Sequence, residues 1–286
     1  MSRTVYVNGS YVPEADAKVS IFDRAFLMAD GVYEVTTVLD GKLIDFEGHM
    51  IRLERSLNEL SMRRPCDRSA LLDIHRSLVE KNDIDEGLVY LQVTRGSAGD
   101  RDFAYPDDTV EPGLVLFTQS KPGLSAPAAA ARGMSVISIE DWRWARRDIK
   151  TVQLLYPSMA KMAAKAQGAD DAWMIQDGHI TEGTSNNAYI IKDGVIVTRP
   201  TSTDILHGIT RAAVLRFAQA HQMRVEERLF TLDEAKAADE AFVTSASAFV
   251  MPVVSIDGAP VGTGQSGPMA LQLREIYIDE MRKAAI

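Results

Sequence analysis

The chain has 286 residues, 46% of them hydrophobic and 25% charged, a balance that buries substantial cores in about two domains. Its 31 lysines and arginines against 40 aspartates and glutamates leave a formal charge of -9, and no basic run with interleaved aromatics appears, so nucleic acid and membrane are not expected partners. A lone cysteine, Cys66, excludes an intrachain disulfide and a multi-cysteine zinc site, and without a signal-like or membrane-spanning apolar run the expected location is cytoplasmic.

The opening "VYVNGSYVP" alternates around Asn8-Gly9, which predicts a hairpin. Phe46, Met50, Leu53, Leu57 and Leu60 recur at spacings of four and three and predict an amphipathic helix, and a second helix is expected from Arg68 to Lys81. "LVYLQVT" and "GLVLFT" read as strands, so residues 1–120 form a domain that mixes sheet and helix. Residues 121–133, rich in Pro, Ala and Gly, read as the interdomain linker. In the second domain, 134–286, Asp177-Gly178, Asp193-Gly194 and Asp257-Gly258 predict further hairpins. Helices fit "SMAKMAAKAQ", "ITRAAVLRFAQAH" and the last segment. The fold class is therefore α/β (α+β) in two domains, each with a mixed sheet and helices.

Three features carry possible chemistry. Lys150 stands at what reads as the edge of a core strand, followed by Val152, Leu154 and Leu155; burial favours the neutral, nucleophilic amine, and Arg146 and Arg147 stand nearby in sequence. Glu182, in "HITEGTSNNAYII", is an acid within a strand-like run, placed to meet a cationic ring nitrogen. Gly208, Ile209 and Thr210 stand at a predicted helix start, where unpaired N–H groups and the helix dipole attract a phosphate. Each also has an ordinary reading, as a surface lysine, a polar turn and a capped helix. Together they form a complete site for pyridoxal 5'-phosphate.

The sequence resembles the class IV aminotransferases, pyridoxal-phosphate enzymes of fold type IV, and within them the branch that acts on D-amino acids. The resemblance runs through "DRAFLMADGVYEV", "HMIRLERS", "VYLQVTRG", "RWARRDIKT", "ITEGTSNNAYIIKDG", "LHGITR" and "AFVTSAS". It implies an active site between the two domains, with Lys150 as the cofactor-bonding amine and catalytic acid/base. By the same resemblance Glu182 pairs with the pyridine nitrogen, Leu206 packs on the ring, and Arg52, Ile209 and Thr210 hold the phosphate. Tyr33 would line the substrate side. Read from the residues alone, Glu34 and His49 stand where they could orient Arg52, and a satisfied structural histidine would look the same. The "GSAGDRDFAYP" loop would carry Arg101 to the neighbouring subunit's active site to bind the substrate carboxylate, which implies a homodimer.

Two departures bear on substrate and cofactor. Phe103 stands where the D-amino-acid branch commonly has a histidine, and Ala246 stands where the family usually has a phosphate-binding threonine, leaving Ser245 or a backbone N–H to replace it. The activity implied is transfer of the amino group of a D-amino acid to a 2-oxo acid, such as 2-oxoglutarate or pyruvate, in a ping-pong exchange between the pyridoxal and pyridoxamine forms of the cofactor. Phe103 leaves room for (R)-amines. Branched-chain L-amino-acid transaminase and aminodeoxychorismate lyase fit the "RWARRDIKT" context and the Arg101 loop less well. The rival of another class is a noncatalytic binder of a phosphorylated ligand. His75, His179, His207 and His221 lack ligand spacing, and no metal site is expected.

Overall fold

The computed structural model describes residues 2–286. The chain divides into two compact units: residues up to Leu124 with Ile149–Gln153 and Ala284–Ile286, and Ser125–Asp148 with Leu154–Lys283.

In the first unit, Asn8 and Gly9 both take positive φ, the conformation that turns β1 (Thr4–Val7) back along β2 (Ser10–Pro13). Asp23 caps α1 (Arg24–Met28) by accepting from the Ala25 N–H. β3 (Gly31–Leu39) and the short β4 (Lys42–Leu43) follow, then α2 (Phe46–Glu59), α3 (Arg68–Lys81), β5 (Gly87–Thr94) and β6 (Gly113–Ser120). The strands form one antiparallel sheet in the order β2-β1-β6-β5-β3-β4. Helix α2 buries Phe46, Met50, Leu53 and Leu57 as its periodicity predicts, but it ends before Leu60. A second, polar stripe is buried beside the apolar one: His49, Arg52 and Ser56, each one position before an apolar anchor.

Ile149–Gln153 departs from the expected strand. Its contact with β3 is the isolated bridge Val32–Thr151, closed by Tyr33 N–H to Lys150 O and Val152 N–H to Gly31 O, both 3.0 Å. Ile149 and Thr151 are buried, whereas Leu155 is 76% exposed, because the chain has by then left this pairing and begun a helix. Cys66 is half-buried and in no disulfide, its thiol pushed up by burial and by Asp67.

In the second unit, Pro127 starts a five-residue helix, α4 (Pro127–Ala131), inside the segment that composition marks as a connection. Then come β7 (Met134–Glu140), α5 (Leu155–Ala166), β8 (Asp171–Gln176), β9 (His179–Gly183), β10 (Asn187–Lys192), β11 (Val195–Thr198), α6 (Ile209–Ala220) and β12 (Arg224–Glu227). α7 (Leu232–Lys236), β13 (Glu240–Ser245), β14 (Phe249–Ile256), β15 (Ala259–Pro260) and α8 (Pro268–Ala284) complete the chain. The sheet runs β12-β11-β10-β13-β14-β7-β8-β9, with β15 on β14. Three of its pairs are parallel: β7 with β8 and β11 with β12, joined through α5 and α6 as parallel neighbours require a crossover, and β14 with β7. The three Asp-Gly pairs take positive φ at both residues and close hairpins. Trp173, Ile190, Phe230 and Val243 belong to the core cluster of this unit. Among the described residues no helix is long and apolar enough to cross a membrane.

Candidate active site

Lys150 belongs to the first unit, where its half-buried side chain places Nζ 4.2 Å from the centre of the Tyr33 ring. Among the described residues no carboxylate pairs with this ammonium. Tyr33 alternates on β3 with buried Val32 and Glu34, and its ring stacks on Tyr90 at 5.5 Å, which stacks in turn on Phe117 at 4.7 Å. Arg146 and Arg147, adjacent in sequence, serve other partners: Arg146 Nε bonds Asp148 at 3.0 Å, and Arg147 reaches Gln176 and Asp204.

The buried stripe of α2 meets Glu34. Arg52 donates from Nε to Oε1 at 2.8 Å and from Nη2 to Oε2 at 2.6 Å, and His49 Nδ1 lies 2.7 Å from Oε2. Burial alone would raise the Glu34 carboxyl, but the charge of Arg52 and the hydrogen bonds from Arg52 and His49 hold it at about 2. Ser56, on the same stripe, lies 3.5 Å from the Lys150 backbone N. Arg101 and Phe103 stand in an exposed loop after β5, the guanidinium 4.7 Å from the Phe103 ring centre.

In the second unit Glu182 is buried near the end of β9. Its Oε1 accepts from Arg143 Nη1 at 2.6 Å, its Oε2 from Asn187 Nδ2 at 2.9 Å, and both lie near the Leu206 N–H at 3.1 to 3.2 Å. Burial pushes this carboxyl up, against the opposing pull of Arg143 and the Leu206 N–H, with Asp141 adding to the rise. Asn187 also donates to Leu206 O at 2.9 Å, and a methyl group on Gly208 would stand 2.1 Å from Asn187 Oδ1. Only glycine admits that approach. Helix α6 begins there without a side-chain cap: its first i to i-4 bond is Ala212 N–H to Gly208 O, so Ile209, Thr210 and Arg211 head it. Asn187 is also the register partner of Thr244 on β13, which brings Ser245 and Ala246 to this end of the sheet. The Ser245 hydroxyl lies 3.4 Å from that of Ser247.

Sequence reasoning missed Ser56, Arg143 and Asn187. The spacing of Ser56 from Arg52 was a usable signal; Arg143 and Asn187 gain meaning only once the fold sets them on Glu182.

Each unit carries residues whose chemistry fits pyridoxal 5'-phosphate: the first an amine with no carboxylate partner among the described residues, the second a buried carboxylate for a cationic ring nitrogen and a glycine-opened helix start for a phosphate. The sequence profile described as amino-transferase class IV matches residues 31–256. D-alanine aminotransferase of Staphylococcus aureus (strain COL) is 40% identical over 272 residues, 95% of each chain, and that of Bacillus licheniformis is 38% identical over 265 residues, 93% of this chain and 92% of the other. Among solved structures, a T.th. branched-chain amino acid aminotransferase with pyridoxamine 5'-phosphate has a TM-score of 0.88 at 27% identity, covering 98% of this chain and 94% of that one. The Escherichia coli branched-chain enzyme, at 22% identity and a TM-score of 0.87 over 98% of this chain and 95% of its own, shares the fold. The chain belongs to the class IV aminotransferase family, and its cofactor is pyridoxal 5'-phosphate.

Proposed function

We propose that this aminotransferase moves the amino group of a D-amino acid to a 2-oxo acid. The observation that carries the substrate class is the identity of about 40% over 95% of the chain to proteins named D-alanine aminotransferase. The two branched-chain enzymes of similar structure stand lower, at 27% and 22% identity. Family membership also leaves the noncatalytic phosphate binder without support.

The cofactor supplies an aldehyde for the amino group and a ring that takes up the electrons of the broken Cα–H bond. Lys150 is the amine that bonds it and the base that moves the proton at the substrate Cα; the Tyr33 ring beneath Nζ limits where that amine can point. Glu182, held by Arg143, is the carboxylate that would accept the ring N–H and favour the protonated ring. Ile209 and Thr210 at the head of α6, with Arg52 and Ser245, would hold the phosphate, and Leu206 would face the ring. Arg101 binds the substrate carboxylate. The active form is a homodimer in which that loop serves the neighbouring site; exposed apolar side chains such as Phe26, Leu155 and Met162 support association.

A second reading, (R)-amine transamination, is favoured by Phe103, which cannot donate a hydrogen bond to a carboxylate as a histidine would. The test is a half-reaction on holoenzyme with D-alanine, L-leucine or (R)-1-phenylethylamine, following the visible cofactor band. Bleaching by D-alanine and not by L-leucine is expected; a faster response to the amine would establish the second reading, and a response to L-leucine alone would overturn both.

A further inference from the structure

The loop that carries Arg101 is exposed, yet its backbone is gripped by an arginine that is 5% exposed. Arg24 donates from Nη1 to Asp102 O at 2.5 Å and Ala104 O at 3.1 Å, and its Nη2 reaches Phe103 O at 3.5 Å. Its Nε bonds Asp30 Oδ2 at 2.7 Å, and the Arg24 N–H donates to Gly96 O at 2.9 Å. One residue thus holds both the start of the loop and the carbonyls on either side of Phe103.

A second arginine completes the anchor. Arg95 Nε bonds the same Asp30 oxygen at 2.8 Å, and its Nη2 and Nη1 donate to Leu60 O and Ser61 O at 2.8 and 3.1 Å. The Tyr105 ring lies 3.6 Å from Arg95 Cζ and 5.7 Å from Arg24 Cζ. Two guanidinium groups share one carboxylate, so the excess positive charge is met by backbone carbonyls, most of them from this loop. A planar fork with five N–H donors reaches Asp30 on one edge and three loop carbonyls on the other; an ammonium has three donors gathered at a single point.

We propose that Arg24 is a positioning residue for the substrate carboxylate. By fixing the backbone of residues 102–104, and with it the Phe103 ring on which Arg101 stacks, it sets the direction of the Arg101 guanidinium. This rests on the reading that Arg101 binds the carboxylate. The ligand class is the α-carboxylate of an amino acid, and Arg24 acts on its capture without touching it.

The experiment measures KM and kcat for D-alanine, together with hydrogen exchange of residues 100–106, in Arg101→Ala, Arg24→Lys, Tyr105→Ala and the double variant Arg24→Lys/Arg101→Ala. Arg24→Lys should raise KM about tenfold with kcat within about threefold, since uniform binding is lost and the chemistry is untouched. It should also speed exchange across the loop, and adding it to Arg101→Ala should raise KM no further, because both act through one contact. Tyr105 is 59% exposed, so its variant keeps the test open if Arg24→Lys does not fold, and the same two readouts should move in the same direction. An unmoved KM in Arg101→Ala overturns the carboxylate role of Arg101. A raised KM there, with unmoved exchange and KM in both anchor variants or with additive losses in the double variant, overturns the anchor.

Discussion

Glu34 on β3 and Glu182 on β9 are both buried, and both accept from an arginine at 2.6 Å, yet their proton affinities move in opposite directions. Glu34 receives two bonds from Arg52 and one contact from His49, and it is held at about 2. Glu182 receives one arginine N–H, an amide and a backbone N–H, and its arginine is shared: Arg143 Nη2 also bonds Asp141 at 2.7 Å. The difference teaches that a buried acid is tuned by how much of its counterion it owns. Glu34 is a permanent anion that fixes a neighbouring arginine and histidine. Glu182 has unmet demand for positive charge, which suits a carboxylate that must greet a protonated ring nitrogen.

The largest expected effect lies at neither acid and sets the floor for the rest. Lys150→Ala should slow the D-alanine half-reaction by at least about 10⁴-fold, because it removes the acid/base amine. Its unfolding midpoint should stay near that of wild type, since Lys150 has no carboxylate partner among the described residues to leave unpaired. Turnover at wild-type rate would show that another amine does the chemistry.

Glu34→Ala should then separate the two acids through stability. Removing the carboxylate that Arg52 and His49 share should destabilise the apoprotein by about 3–5 kcal/mol in urea unfolding, the usual consequence of breaking a buried pair from one side. Glu182→Ala should lose less, because Arg143 keeps Asp141. Equal losses would erase the distinction.

The same contrast has a pH signature. The Glu34 carboxyl is lowered on folding, so the stability it contributes is present above the unfolded value of about 4.5 and is lost as pH falls toward about 2. That loss should be on the order of 3 kcal/mol in wild type and absent in Glu34→Gln. The Glu182 carboxyl is raised, so the native state binds its proton more readily than the unfolded chain and this contribution falls as pH rises through the interval. Urea unfolding of Glu34→Gln and Glu182→Gln across acid pH should give differences from wild type of opposite slope.

Glu182→Gln should retain cofactor yet slow proton transfer about 100-fold in a single turnover, the lower range for loss of such assistance. Glu34→Gln should change that step less if it folds. Unchanged rates in Glu182→Gln would refute its role at the ring nitrogen.

Much of this contrast was hidden in the sequence, for identifiable reasons. The 3.6-residue period marked the apolar face of α2, and the Asp-Gly pairs marked the turns, because both are local consequences of backbone geometry. Glu182 and the Gly208–Thr210 helix start could be picked out as residue types at element ends. Periodicity, however, does not tell a roofed polar stripe from a solvated one, so the burial of His49, Arg52 and Ser56 needed the sheet. Leu154 and Leu155 extended an apolar run in sequence, but the chain leaves its pairing with β3 before reaching them. Arg143 lies 39 positions from Glu182, a separation that no local pattern records.

The smallest effect should come from one methyl group. At Gly208→Ala the new Cβ would stand 2.1 Å from Asn187 Oδ1, which must move, and Asn187 is the side chain that bonds both Glu182 and the Leu206 carbonyl. Gly208 is the extended residue that caps α6, where alanine serves less well than glycine, so α6 should persist with its start weakened and displaced from β10. Cofactor affinity, read by fluorescence titration of apoprotein, should weaken about tenfold, a shift of about 1.4 kcal/mol. Glu34 and its partners lie in the other unit and should keep their acid-pH signature unchanged. If affinity held and that signature moved, the assignment of the helix start to the phosphate, and of Asn187 to the carboxylate beside it, would fail together.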